Sequence, residues 1–330
     1  MTDSQTEAFP VRVSRLAELT STTRLFELVP AAGEPLPPFT AGAHIDLALG
    51  NGLVRSYSLV NDQADTHRYL IAVKLESPSS GGSSWIHDHL AEGSELKVYP
   101  PKNDFPLEER AAKTILIAGG IGVTPLISMC RRLLALGREF ELHVCASSRE
   151  TAPFADRLPK MMDDRLHFHF SESAGPDARL NVTALLAEPQ PDTHIYVCGP
   201  KPLIEEVRAA SSHWPAGSFH SELFSTHVHR LEDDAPDLSD AQPFEIVLAS
   251  SGNTLLVPAE QTILETLLDN GIKVQAVCKQ GWCGTCTTGL LGGKADHRDE
   301  YLEDDEKAAN TAIQVCVSRA MPGERLILDL

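Results

Sequence analysis

No run of about 18 apolar residues occurs anywhere in the 330-residue chain, which excludes a transmembrane helix of ordinary length. The opening "MTDSQTEAFP" lacks both the basic segment and the apolar run of a signal peptide, so a soluble, cytoplasmic protein is expected. Positive charge is scarce as well. Lys and Arg number 28 against 46 Asp and Glu, a net charge of -18, which repels phosphate backbones and anionic lipid but suits a partner with a basic docking face. Cysteine is sparse, and its count of seven is odd. Four of them cluster with ligand spacing, so the pattern argues against a secreted disulfide framework, and reduced thiols are the expectation. No GK[ST] follows any glycine-rich turn, so a P-loop is excluded, and no internal repeat is visible.

What is present is ordinary globular material. Hydrophobic residues make up 42% and charged residues 22%, and the length suits two or three domains of about 100 to 150 residues each. The texture changes twice along the chain. Between residues 11 and 100 short runs with period-two character, "VRVSRL", "TRLFELV", "AHIDLAL", "VRSYSLV", "YLIAVKL" and "ELKVYP", are separated by glycine, proline and asparagine, the pattern of a small antiparallel barrel or sandwich. From about residue 113, "TILIAGGIGVTPLISMCRRLLALG" reads as strand, glycine turn and amphipathic helix, with Leu126, Met129, Cys130, Leu133 and Leu134 on one face and Gly137 as the stop. Further strands "FELHVCA" and "HIYVCG" alternate with helical stretches, which predicts an α/β unit with a parallel sheet. Residues 225–243 are polar, acidic and poor in large apolar groups, and read as a linker. The domains expected are therefore 1–110, 111–224 and 244–330.

The third segment holds "CKQGWCGTCTTG", with Cys278, Cys283 and Cys286, and Cys316 follows farther on. CxxxxCxxC with a distant fourth cysteine is the spacing of a plant-type [2Fe-2S] site. Gly281, Gly284 and Gly289 are expected to supply loop conformations that other residues resist, so that thiolates and backbone N–H groups can turn inward. Zinc is the alternative, although zinc modules usually pair two CxxC-like knuckles and only one such pair exists here. Cys130 and Cys145 are read as core residues.

In "ILIAGGIGVTP" the small Gly119, Gly120 and Gly122 let a backbone approach a pyrophosphate, with Thr124 expected as the helix N-cap and Pro125 as its first residue. Pro125 stands where GxGxxG has its third glycine, so the motif is incomplete, and a tight βα turn with no ligand would look similar. The strand ending at Cys198, Gly199 and Pro200 adds a second signal, because α/β sheets bind ligands at their carboxyl edge; Cys198 could also be a small buried residue.

These motifs, in this order, resemble the phthalate dioxygenase reductase family over nearly the whole chain; vanillate demethylase reductase components are similar. The resemblance implies an antiparallel β-barrel flavin domain, an α/β parallel-sheet nucleotide domain and an α+β plant-type ferredoxin domain. "RSYSLV" resembles the flavin motif, implying that Arg55 meets the flavin phosphate while Tyr57 and Ser58 line the isoalloxazine, with Ser56 counted among the cofactor-binding residues. Without that context Arg55 would read as a surface residue and Tyr57 as core. "VKLESPSSGGSSWIHDHL" resembles the next flavin segment, with Lys74 before a loop and Gly81, Gly82, Ser83 and Ser84 opening a short helix. "GGIGVTP" and "CGP" look like the nicotinamide-nucleotide motifs, and "HSELF" like the segment that places Glu222 and Phe224 near the flavin. "DHRD" at 296–299 and "CVSRA" at 316–320 match the ferredoxin part.

The cofactors implied are FMN, NADH and a [2Fe-2S] cluster, and the partner implied is a terminal oxygenase, Rieske-type, acting in aromatic hydroxylation or demethylation. The four cluster cysteines are the metal ligands. Cys198, Glu222 and Phe224 form the candidate catalytic junction. Departures from the family are Val277 and Lys279 flanking the first cluster cysteine, and Ser148 and Arg149 after the second nucleotide strand, where a 2′-phosphate could bind. The acidic run "DEYLEDDE" at 299–306 is a candidate docking patch or a solvated helix face. Two rival functions are an electron carrier with no NADH oxidation of its own and a stand-alone flavin or ferric reductase.

Overall fold

A computed structural model describes residues 8–77, 79, 81–173, 178–223, 229–230, 242–272, 274, 276, 281, 286–299, 301–302 and 304–330. The chain divides into two compact units, Met1–Leu231 and Glu232–Leu330. The boundary falls inside the segment expected as a linker, most of which lies outside the described residues.

The first unit begins with six strands at the period-two runs: β1 (Phe9–Thr20), β2 (Thr23–Pro30), β3 (His44–Ala48), β4 (Leu53–Ser58), β5 (Tyr69–Lys74) and β6 (Glu95–Val98). They pair antiparallel in the order β4-β3-β6-β1-β2-β5. Just past β4, Leu59 bridges to Ile71 of β5, so the sheet curls round and closes into a barrel. Asn61 seals the same seam, accepting from Leu70 N and donating to Arg68 O. Alternate residues point inward, and Val11, Val13, Phe26, Leu28, Ile45, Leu47, Tyr69 and Ile71 fill the interior. The short helix α1 (Gly82–His89) plugs this core with Ile86. Part of the expected linker joins the barrel, because β12 (His229–Arg230) pairs with β4.

The same unit continues into a five-stranded sheet of β7 (Lys113–Gly119), β8 (Glu139–Ala146), β9 (Leu166–Phe170), β10 (Thr193–Gly199) and β11 (Phe219–Leu223). All four pairings are parallel and the order is β11-β10-β7-β8-β9. The chain runs outward from β7 through β8 to β9, then returns to β10 on the other side. Strand order therefore reverses between β7 and β10, and in such sheets the crevice beyond the carboxyl ends at that point is where ligands bind.

Helix α2 (Val123–Leu136) covers one face, and Gly137 ends it in the left-handed conformation (φ 63°), as its sequence predicts. Leu126, Met129, Cys130 and Leu133 are fully buried in a core shared with Leu25, Ala41, Val60, Ala72 and Phe105 from the barrel side, each full burial contributing about 1.5–3 kcal/mol. Three further helices follow: α3 (Pro159–Met162), α4 (Val182–Leu185) and α5 (Lys201–Ala210). α5 packs Ile204 and Val207 on the opposite face.

The second unit contains β13 (Phe244–Leu248), β14 (Thr254–Val257), α6 (Ile263–Asp269), β15 (Thr287–Gly292), β16 (Ala295–Asp296), α7 (Asp304–Ala309), β17 (Ala312–Gln314), β18 (Arg319–Ala320) and β19 (Leu326–Leu328). Its main sheet is mixed, in the order β14-β13-β19-β15-β17, with β13 and β19 parallel. Helix α6 starts on a capping box in which Thr262 and Glu265 serve each other's backbone N–H, and lays Ile263, Leu264 and Leu267 on the sheet. Among the described residues no helix is long and apolar enough to cross a membrane.

Candidate active site

The two nucleotide motifs meet at the switch point. Gly119 ends β7, and a methyl group added there would lie 2.5 Å from Pro200 Cδ and 3.3 Å from Gly199 Cα on β10. Gly122 is tighter still: an added Cβ would collide with the Cys198 carbonyl oxygen and lie 2.8 Å from Gly199 N. Gly120 differs, with a left-handed backbone (φ 55°) and open space where a side chain would be. Two of these glycines thus bring turn and strand end together, and the third leaves room above them for a pyrophosphate.

The helix start needs correction. Thr124 is not the N-cap: α2 begins at Val123, continuing a 3-10 turn over Gly120–Gly122, and the buried Thr124 hydroxyl donates to Ile121 O at 3.0 Å. Pro125 is the third helical residue rather than the first. It still lies in the first turn of α2, where a proline is tolerated.

At the end of the sheet, Cys198 and Glu222 are cross-strand partners on β10 and β11, and the thiol donates to Glu222 Oε2 at 3.8 Å. Cys198 is fully buried and Glu222 half-buried. Burial pushes the Glu222 carboxyl up to about 8 against the pull of the thiol hydrogen bond, and Asp104 adds to the rise. Burial also holds the Cys198 thiol well above its usual range, with the Glu222 charge adding to it. The pair is therefore a neutral thiol beside a mostly protonated carboxyl at neutral pH, not a thiolate nucleophile. Below it, His220 stacks on Tyr196 with ring centroids 4.3 Å apart and meets His194 at 2.8 Å. Phe224 lies outside the described residues.

The two flavin segments also meet. Arg55 is buried at 8% exposure, donates to Val54 O at 2.7 Å, and passes so close beneath Gly82 that an added Cβ there would sit 2.7 Å from its Cγ. Gly81 caps α1 in the left-handed region (φ 92°) with no side-chain cap, so the first-turn N–H groups stand beside the guanidinium. This is an anion cradle that a phosphate fits. Ser83 accepts from Glu76 N and Ser84 from Ser79 Oγ, which holds the loop.

Tyr57 is half-buried in the barrel core and burial raises its phenol; Ser58 is buried beside it. Ser56 points to the other face and donates to Asp46 Oδ1, while the exposed Lys74 pairs with Glu76 at 3.3 Å. Strand alternation thus separates Ser56 from Arg55 and Tyr57. Arg149, weighed for a 2′-phosphate, is engaged locally with Asp156 at 3.3 Å, Ala155 O and the Phe168 ring.

In the second unit the sulfur atoms of Cys286 and Cys316 lie 3.1 Å apart, both buried, with no disulfide between them. Cys278, Cys283, Gly284, Val277 and Lys279 lie outside the described residues. Gly281 has φ 79°, and an added Cβ would meet Val317 Cγ2 at 2.5 Å and Asp299 Cα at 3.0 Å. Gly289 is otherwise: it sits in β15 with an ordinary backbone and needs only room against Asp329, whose Cβ would be 2.9 Å away. Two converging buried thiols beside a glycine-walled turn fit an iron-sulfur ligand set.

Sequence reasoning missed Gln314, fully buried, which accepts from the Cys286 thiol at 3.1 Å. It also missed how "DHRD" and "CVSRA" support each other. Asp296 pairs with Arg319 across β16 and β18, Ser318 Oγ donates to the buried Asp299, and Arg319 donates to Gln261 O, Pro258 O and Gln242 O. The acidic run is accordingly no continuous surface, since Asp299 and Leu302 are buried; Glu300 and Glu303 lie outside the described residues. Cys130 is core as read, whereas Cys145 is only half-buried.

Comparison with known proteins agrees with this geometry. Residues 246–321 match the 2Fe-2S iron-sulfur cluster binding domain and residues 116–209 the oxidoreductase NAD-binding domain. Phthalate dioxygenase reductase of Burkholderia cepacia is 42% identical over 310 residues, 92% of each chain. The chain belongs to the phthalate dioxygenase reductase family. The carnitine monooxygenase reductase subunit of Escherichia coli K12 is 40% identical, over 99% of this chain and all of that one. A solved phthalate dioxygenase reductase, described as a modular structure for electron transfer from pyridine nucleotides to [2Fe-2S], superposes with TM-score 0.66 and 38% identity, covering 98% of both chains. Members of this family are reductases that carry electrons from NADH through flavin and a [2Fe-2S] cluster to oxygenases, and this chain is one of them.

Proposed function

We propose that the parts divide the work as follows: residues 1–110 hold FMN, 111–224 hold NADH, the part of 225–243 that follows β12 links the two compact units, and 244–330 carry the cluster that serves a terminal oxygenase of the Rieske type, acting on an aromatic substrate. When bound, the flavin takes the two electrons of a hydride together and passes them on singly, which the one-electron cluster requires. The observation that carries the assignment is the meeting of Gly119, Gly122, Gly199 and Pro200 at the strand-order reversal, with Cys198 and Glu222 immediately beside it.

The chain's own residues position and exclude water rather than abstract a proton. Arg55 and the α1 N-terminus hold a phosphate, Tyr57 walls the barrel side, and Ser58 lies on the alternate face of the strand. Gly120 leaves space for the pyrophosphate, and Cys198 and Glu222 present a surface that is mostly uncharged at neutral pH to the nicotinamide. With Phe224 they form the proposed junction, and Cys286 and Cys316, with Cys278 and Cys283, are the proposed iron ligands. A cytoplasmic site of action agrees with the reduced thiols, and recovery of the protein in a secreted fraction would contradict it.

Cys198→Ala tests the junction. Flavin reduction by NADH is expected to slow about tenfold to a hundredfold, as for a displaced reacting pair, with NADH binding changed far less. Unchanged reduction kinetics in rapid mixing would overturn the role.

A further inference from the structure

On the face of the nucleotide sheet opposite α2, three side chains with metal-binding atoms gather. Phe140, Leu142 and Val144 of β8 face the core under α2. The alternate residues Glu141 and His143 therefore face the other way, and His167 is the cross-strand partner of His143 on β9. One ligand atom from each of Glu141, His143 and His167 lies within 4.8 Å of the other two. His143 is buried, Glu141 half-buried and His167 exposed, so the cluster opens to solvent at one end.

We propose that Glu141, His143 and His167 form a binding site for a zinc ion. Tetrahedral zinc with bonds near 2 Å needs donors about 3.3 Å apart. Glu141 Oε2 and His143 Nε2 already stand at 3.4 Å. The exposed His167 ring, stacked on His143 with centroids 4.8 Å apart, closes the remaining gap by side-chain rotation. Three protein ligands leave the fourth position to water, and two imidazoles with one carboxylate select zinc over magnesium or calcium.

The outer contacts suit the same reading. A ring that gives its Nε2 lone pair to a cation carries its proton on Nδ1, and His143 Nδ1 faces His169 Nε2 at 3.1 Å, an acceptor that fixes the ring. The other Glu141 oxygen, Oε1, is held by Lys113, which leaves Oε2 directed at the site. Glu139 also pairs with Lys113 at 3.7 Å, so the two carboxylates outnumber the one ammonium and the local charge favours a cation. Zinc here would tie the edge strand β9 to β8.

The test is calorimetric titration of zinc chloride into full-length protein whose flavin and cluster absorbance are intact, so that the cluster thiols are occupied. About one saturable zinc per chain in the micromolar range is expected. Binding should weaken at least tenfold in His167→Ala and in Glu141→Gln, and about tenfold to a hundredfold in His169→Ala. Because His167 is exposed, its variant should keep the parent's cluster spectrum and NADH-driven turnover. Absence of saturable binding, or equal affinity in His167→Ala, would overturn the proposal.

Discussion

Glu222 is the side chain whose proton matters most for the junction. Its folded pKa, about 8, exceeds the ordinary 4.5 because burial disfavours the charge. A raised value means that the fold favours the protonated form. That contribution to stability is complete below about pH 4.5 and is lost as pH rises through 8. Ionisation also places a negative charge where a hydride leaves positive charge behind on the nicotinamide. Flavin reduction by NADH is therefore expected to rise through a step near pH 8, and Glu222→Gln should abolish the step; a profile identical in the variant would contradict the assignment. The raised carboxyl could not be read from "HSELF", because it comes from the burial that the fold imposes where β11 pairs with β10, 24 residues away in the chain.

At the level of elements, the glycine turn and the end of β10 behave as one device. A Cβ on Gly122 would press on the backbone of Cys198 and Gly199, and neither can move without shifting β10. Gly122→Ala is expected to cost about 1–3 kcal/mol in denaturant unfolding of the first unit and to weaken NADH binding. Parent-like stability and affinity would show that the turn yields.

The strands themselves were legible: all six barrel runs, and β7, β8 and β10, carry the periodicities that their burial requires. The α2 start was not, because a 3-10 turn runs into the helix without a side-chain cap to mark it. Gln314 was invisible for another reason: its value lies in meeting Cys286 from a different strand, and local spacing holds no trace of that. β9, "LHFHF", did carry a signal in its strict alternation, and its histidines are the ones that meet His143.

Along the whole molecule the parts follow in order: a barrel with an anion cradle, a parallel sheet with its switch point shaped by glycines, and a second unit with converging thiols. Family membership and the matched domains agree with that order, and the family motifs were readable because each demands small residues or thiols at fixed offsets. The rival reading as a carrier with no NADH oxidation predicts a cluster but no working flavin. Anaerobic addition of NADH to the purified protein, followed by absorbance, separates the two most directly. Flavin and iron-sulfur bands are both expected to bleach, with FMN as the released flavin. An intact cluster in folded protein that carries no flavin, or bands that NADH leaves unchanged, would contradict it.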